Sequence, residues 1–191
     1  SYLYGGGTGL VSMRWDGTDE RTHLRVTGAR GPEATAASPA AVARLSPNGD
    51  QVLVQVANDL FVFPLIESGE APTISLAAAE NSELPARRLT DIGGQFPAWS
   101  ADGSRVHWSI GNAHVVYDLA RGKAFDDSVA AARAAAGTPA PPAPAAGAAA
   151  GAAAPTPPRY EPVETRIILR ARRDMPNGTA IFRGARIVTM K

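Results

Sequence analysis

Apolar positions recur with a period of two through two separated stretches of the chain. In one, Val52, Val54 and Val56 point one way, Ala57-Asn58-Asp59 turns, and Leu60 to Leu65 returns. In the other, Val106, Trp108 and Ile110 share a face, Gly111-Asn112 turns, and His114 to Leu119 returns. Recurrence at every second position over such short runs predicts β-strands joined as hairpins. Each pair is preceded by a short strand, Ala43 to Leu45 or Phe96 to Ser100, and by a turn, Ser46-Pro47-Asn48-Gly49 or Ser100-Ala101-Asp102-Gly103. Asn or Asp followed by Gly suits these turns, because the side chain bonds its own backbone and Gly accepts positive φ.

The two stretches align without a gap. Ser46 to Leu65 and Ser100 to Leu119 share Ser46/Ser100, Gly49/Gly103, Val52/Val106, Asn58/Asn112, Val62/Val116 and Leu65/Leu119. Asn48/Asp102, Val56/Ile110 and Phe63/Tyr117 swap conservatively. Arg87-Arg88-Leu89-Thr90 adds an outer strand between the units. A partial third unit opens the chain: strand Tyr2-Leu3-Tyr4, turn Gly5-Gly6-Gly7-Thr8-Gly9, strand Leu10 to Trp15 and turn Asp16-Gly17, with Leu10 corresponding to Leu60. Recurrence of several short antiparallel strands at this interval predicts blades of a β-propeller, in which no unit buries its core alone. Closure takes at least about four blades. Two blades and part of a third fit here, so further blades are expected outside the given sequence, which starts at Ser1 as if within an element.

Beyond the repeats the pattern changes. Lys123 to Ala136 reads as a helix, with Asp126 and Asp127 favouring its N-terminus, an Ala-rich body and Gly137 just past its end. Residues 138–158 are Ala, Pro and Gly almost throughout and read as an extended linker. Strand patterning returns at Thr165 to Ala171 and Thr179 to Met190, with Pro176-Asn177-Gly178 as the turn between them. The expected organisation is therefore blades over 1–122, a helix over 123–137, the linker over 138–158 and strands over 159–191. The fold class is all-β, with one short helix.

Composition narrows the chemistry. The 191 residues carry a formal net charge of +1 and no Cys. Disulfides, thiolate nucleophiles and Cys-ligated metals are thereby excluded. No apolar run approaches the ~18 residues of a membrane span, and no signal peptide is visible. The three His, at 23, 107 and 114, all fall in expected strands. His107 and His114 flank one hairpin and suggest a metal pair, but zinc needs three or four ligands, so they read as strand histidines near the surface. Asp126-Asp127 reads as helix capping before an acid/base pair. Gly5 to Gly9 lacks the Gly-Lys-Ser/Thr ending of a phosphate loop and reads as a hairpin turn. Arg166, Arg170, Arg172 and Arg173 lack interleaved aromatics and read as the solvated side of an edge strand, which argues against nucleic acid. Trp15, Trp99 and Trp108 read as blade core before ligand pocket.

The Ser-Pro-Asn-Gly and Trp-Ser-Ala-Asp-Gly units, with Arg87-Arg88-Leu89-Thr90, resemble the TolB-like propeller repeat over roughly residues 1–120. Gly178-Thr179-Ala180-Ile181-Phe182-Arg183-Gly184-Ala185-Arg186-Ile187-Val188-Thr189-Met190 resembles the opening β-sandwich strand of the amidohydrolase superfamily, some members of which carry such a propeller in front. Lys123 to Ser128, Tyr160-Glu161-Pro162 and Arg173-Asp174-Met175-Pro176 fit the same order. The resemblance implies the propeller and linker part of a metal-dependent hydrolase of non-peptide amide-type carbon–nitrogen bonds. It implies zinc or another divalent metal in a barrel that is absent here, export to the periplasm or beyond, and the remainder of the same polypeptide as partner. The superfamily's His-x-His pair has no counterpart in this chain. No catalytic, cofactor or metal residue is therefore assigned, and the reading outside this family is a stand-alone module that binds a protein through its blade edges.

Overall fold

The computed structural model describes residues 2–5, 9–29, 37–66, 70–77, 85–136 and 158–172, with 178–179, 181, 183–184 and 186. Among the described residues the chain is mostly β, in three four-stranded sheets with one helix. The first sheet holds β1 (Tyr2–Gly5), β2 (Gly9–Ser12), β3 (Arg21–Thr27) and β7 (Thr73–Ser75). The central sheet holds β4 (Val42–Leu45), β5 (Gln51–Val56), β6 (Asp59–Pro64) and β8 (Arg87–Arg88). The third holds β9 (Gln95–Trp99), β10 (Arg105–Ile110), β11 (Ala113–Asp118) and β12 (Val163–Arg166). All pairings are antiparallel except that of β3 with β7, which is parallel.

The sheets stack face to face around two apolar layers. Leu10, Leu24, Val26 and Ile74 of the first sheet meet Val52, Val54, Phe61 and Phe63 of the central one. Leu53, Leu60 and Val62, on its opposite face, meet Val106, Trp108, Val115 and Tyr117 of the third. The central sheet is thus buried on both faces, and β5 and β6 read as nearly continuous apolar runs. Strand β11, packed on one face only, keeps a clean alternation.

Three pairs shared by the two aligned stretches have matching jobs. Ser46 Oγ accepts from Gln51 N at 3.2 Å, and Ser100 Oγ accepts from Arg105 N at 2.9 Å. Gly49 and Gly103 turn the chain at φ 77° and 70°. Val52 and Val106 are both fully buried. The two turns also touch, Asn48 Nδ2 donating to the carbonyl of Asp102, 54 residues along, at 3.2 Å. In the second turn the Ser100 and Ser104 hydroxyls, with the Ser104 N–H, hold Asp102 well below the usual carboxylate range. A depressed carboxylate contributes stability that is present above its unfolded value of 3.8 and lost as pH falls through the folded one. Carboxyl carbon NMR is therefore expected to show Asp102 still ionised well below pH 3.8.

The hairpin β5–β6 turns at Ala57, whose φ is 52°, where the β10–β11 hairpin has Gly111 at 55°. A side chain in that region costs roughly 1–2 kcal/mol, against about 0.5–1 kcal/mol for glycine's extra unfolded-state freedom. Ala57→Gly is therefore expected to stabilise the protein by about 0.5–1 kcal/mol in denaturant titration.

Several sequence expectations are corrected. The helix, α1, spans Leu119–Ala135 rather than starting at Lys123. Asp118 caps it, accepting from Arg121 N at 3.0 Å, so Asp126 and Asp127 lie in its body. Leu119, aligned with Leu65, therefore begins a helix where its counterpart follows a strand. The expected strand Thr165–Ala171 is Val163–Arg166, and the chain leaves the ladder after Ile167 N bonds Asn112 O. The outer strand shortens to Arg87–Arg88, with Leu89 N still donating to Leu60 O of β6 at 2.8 Å. Trp15, expected in the core, is 94% exposed beyond the end of β2. Strand β7 was not foreseen, although Thr73-Ile74-Ser75-Leu76 alternates; it returns to the first sheet and buries Ile74 and Leu76. Most of the linker, Gly137, Pro176-Asn177 and most of Thr179–Met190 lie outside the described residues.

Candidate functional site

Hydrophobic edges of stacked sheets leave space where their strands end, and here the space is a cleft of about 910 Å³ beside β8. Its walls come from Phe61 and Leu89 of the central layer, Trp108, Ile110 and Tyr117 of the third sheet, and Tyr160 from the segment before β12. The aromatic groups are in contact. Tyr117 meets Tyr160 edge to face with centroids 5.0 Å apart, and Trp108 lies 6.4 Å from Tyr117.

Charged side chains stand around the cleft in pairs. Arg88 donates to Asp59 at 2.8 Å, Arg159 to Asp91 at 2.8 Å, and Arg87 pairs with Asp126 at 3.1 Å. Glu164 pairs with Arg166 at 3.0 Å. Arg87 also donates to the Leu119 carbonyl at 3.3 Å, tying the edge of the central sheet to the start of α1. Thr90 donates to Asp59 at 3.1 Å and accepts from Leu60 N at 3.1 Å. Burial pushes the Tyr117 phenol up, against the pull of the Arg87 cation.

Helix α1 closes one end. Its half-buried residues Leu119, Phe125, Val129 and Arg133, with buried Gly122, recur at helical spacing and form a narrow inward stripe. Gly122 is the point of closest approach: a Cβ there would lie 2.3 Å from the Tyr117 hydroxyl oxygen. Sequence patterning does not find this cleft, because its residues come from segments as far apart as Phe61 and Tyr160. The aromatic residues at 108, 117 and 160 were the signal available, and of these only Trp108 was weighed from sequence as a pocket residue.

The residues singled out from sequence are scattered. His107 and His114 meet on the outer face of the third sheet, Nδ1 of one 3.3 Å from Nε2 of the other. Burial, then His114 and Arg105, lowers the His107 imidazole below its ordinary value of 6.5. His23 lies in the first sheet, hydrogen-bonded to Ser12 Oγ at 2.7 Å, a contact the sequence reading did not anticipate. Among the described residues no three His, Cys, Asp or Glu side chains stand close enough to hold a metal ion.

Asp126 and Asp127 point to different partners, Arg87 and Lys123. Gly5 pairs with Gly9 across a hairpin, so no helix follows the glycine run. Arg166 is exposed on β12, and Arg170 and Arg172 are exposed beyond it. Trp108 is buried in the second apolar layer, and Trp99 is half-buried with its ring N–H donating to the Arg44 carbonyl at 3.1 Å. No helix among the described residues is long and apolar enough to cross a membrane. No family model, curated protein or solved structure matches the chain.

Proposed function

We propose that this chain is the non-catalytic part of a TolB-propeller-containing amidohydrolase acting on non-peptide amide-type carbon–nitrogen bonds, its three sheets serving as propeller blades. The observation that carries the reading is the contact between equivalent turns. Asn48 reaches the Asp102 backbone, and each turn leads into a hairpin of the same length, β5–β6 or β10–β11. Successive blades pack in this way, like residue beside like residue. The order of motifs after the sheets, ending in the Gly-Ala-Arg segment, supplies the hydrolase half of the reading.

In this role the sheets are a scaffold that shapes access to an active site or contacts between subunits. The divalent metal that the resemblance implies does not fit these residues. His23 stands in one sheet and His107 and His114 in another, and among the described residues neither place gathers three His, Cys, Asp or Glu side chains. No hydrolytic step is assigned to them.

Sequencing the natural gene on both sides of this segment tests the reading. An in-frame His-x-His soon after Lys191 is expected; a stop codon directly after it overturns the proposal. A second reading, a protein-binding module, is favoured by β12 at the edge of its sheet, with Val163 exposed on it and Ile167, Ile168 and Leu169 exposed just after it. It requires a stable complex between the isolated chain and a partner, and a chain that stays monomeric and unfolded by circular dichroism rules it out.

A further inference from the structure

We propose that the cleft beside β8 binds an uncharged, largely apolar small molecule. Its volume of about 910 Å³ is that of a small-molecule site, for which roughly 300–1,000 Å³ is usual. The lining is of the same kind: Leu89, Ile110, Trp108, Tyr117 and Tyr160, from three separate segments, are apolar or aromatic, with Ile110 and Tyr160 half-buried and the other three buried. Ile92, at the rim, is 84% exposed and extends that surface outward.

Charge decides the class of ligand. Arg87, Arg88 and Arg159 are each paired with an aspartate, and Glu164 is paired with Arg166. The rim therefore offers neither sign of charge in excess, and an ionic ligand would leave its own charge uncompensated over an apolar floor. An uncharged ring system loses little on entering and gains contact with the aromatic walls. The inference concerns this chain alone and stands whether or not a hydrolase accompanies it.

Two dyes sharing one ring system test it on the full chain. N-phenyl-1-naphthylamine is uncharged, and 1-anilinonaphthalene-8-sulfonate adds a sulfonate. The neutral dye is expected to bind saturably at one site per chain, with energy transfer from tryptophan, and at least ~10-fold more tightly than the sulfonate. Tyr160→Ala removes an aromatic wall, and Ile92→Asp places an unpaired carboxylate on an exposed rim position where folding is unaffected. Each is expected to weaken the neutral dye by ~5-fold or more while the far-ultraviolet circular dichroism of Ile92→Asp is unchanged. Non-saturating binding, equal affinity for the two dyes, or an Ile92→Asp variant that binds as the parent does would overturn the proposal.

Discussion

Phe63→Ala is expected to cost about 3–5 kcal/mol, the loss typical of a large buried aromatic truncated to a methyl. Phe63 is 1% exposed on β6 and packs into the layer between the first and central sheets. Its neighbours there are strand residues held by ladders on either side, so they cannot close over the vacated space. A protein of this size has about 5–15 kcal/mol of stability in all, so the variant stands near the limit of folding. Guanidinium titration of parent and variant reads the difference. Phe96→Ala is the control, because Phe96 is 81% exposed at a bulge in β9 and its loss is expected to stay within about 0.5 kcal/mol. Equal effects at the two sites would show that the central sheet is not buried on both faces.

Gly122→Ala carries the second large effect, and its sign is the informative part. Within a helix this change ordinarily stabilises by about 1 kcal/mol. Here the new methyl would lie 2.3 Å from the Tyr117 hydroxyl oxygen and 2.6 Å from its ring. The ring cannot swing aside, being buried between Trp108 and Tyr160. Either α1 lifts from the third sheet, straining the Arg87–Asp126 pair, or the aromatic cluster shifts. The net expectation is a loss of about 1–3 kcal/mol, as for other overpacked cores. Thermal unfolding checks it, and Tyr117→Phe combined with Gly122→Ala should recover part of the loss, because the nearest clashing atom is then gone. A stabilised Gly122→Ala variant would mean that α1 does not rest on Tyr117.

Most of the strands were legible because apolar residues recur at every second position, even in β5 and β6, where intervening positions are buried too. The turns were legible because Asn-Gly and Asp-Gly have few other uses, and Ser46 and Ser100 recur because each hydroxyl satisfies a backbone N–H five residues on. Strand β7 was overlooked because Thr73 to Leu76 is short and pairs parallel with a distant strand, to which no local turn points. The start of α1 was misplaced because Asp126-Asp127 resembles a cap, whereas the single carboxylate of Asp118, at the end of β11, performs that task. Trp15 was taken for blade core at the end of a strand running from Leu10, yet β2 stops at Ser12.

The sequence by itself determined the β-rich class, the two hairpin units and their turns, because period-two burial and turn chemistry act between near neighbours. Tertiary structure decided which sheet is buried on both faces, where β7 joins, and how Arg87, Tyr117, Gly122 and Tyr160 meet beside β8. Those outcomes depend on sheets stacking across long stretches of chain. The meeting of an arginine at 87 with an aspartate at 126 leaves no periodic trace in either segment.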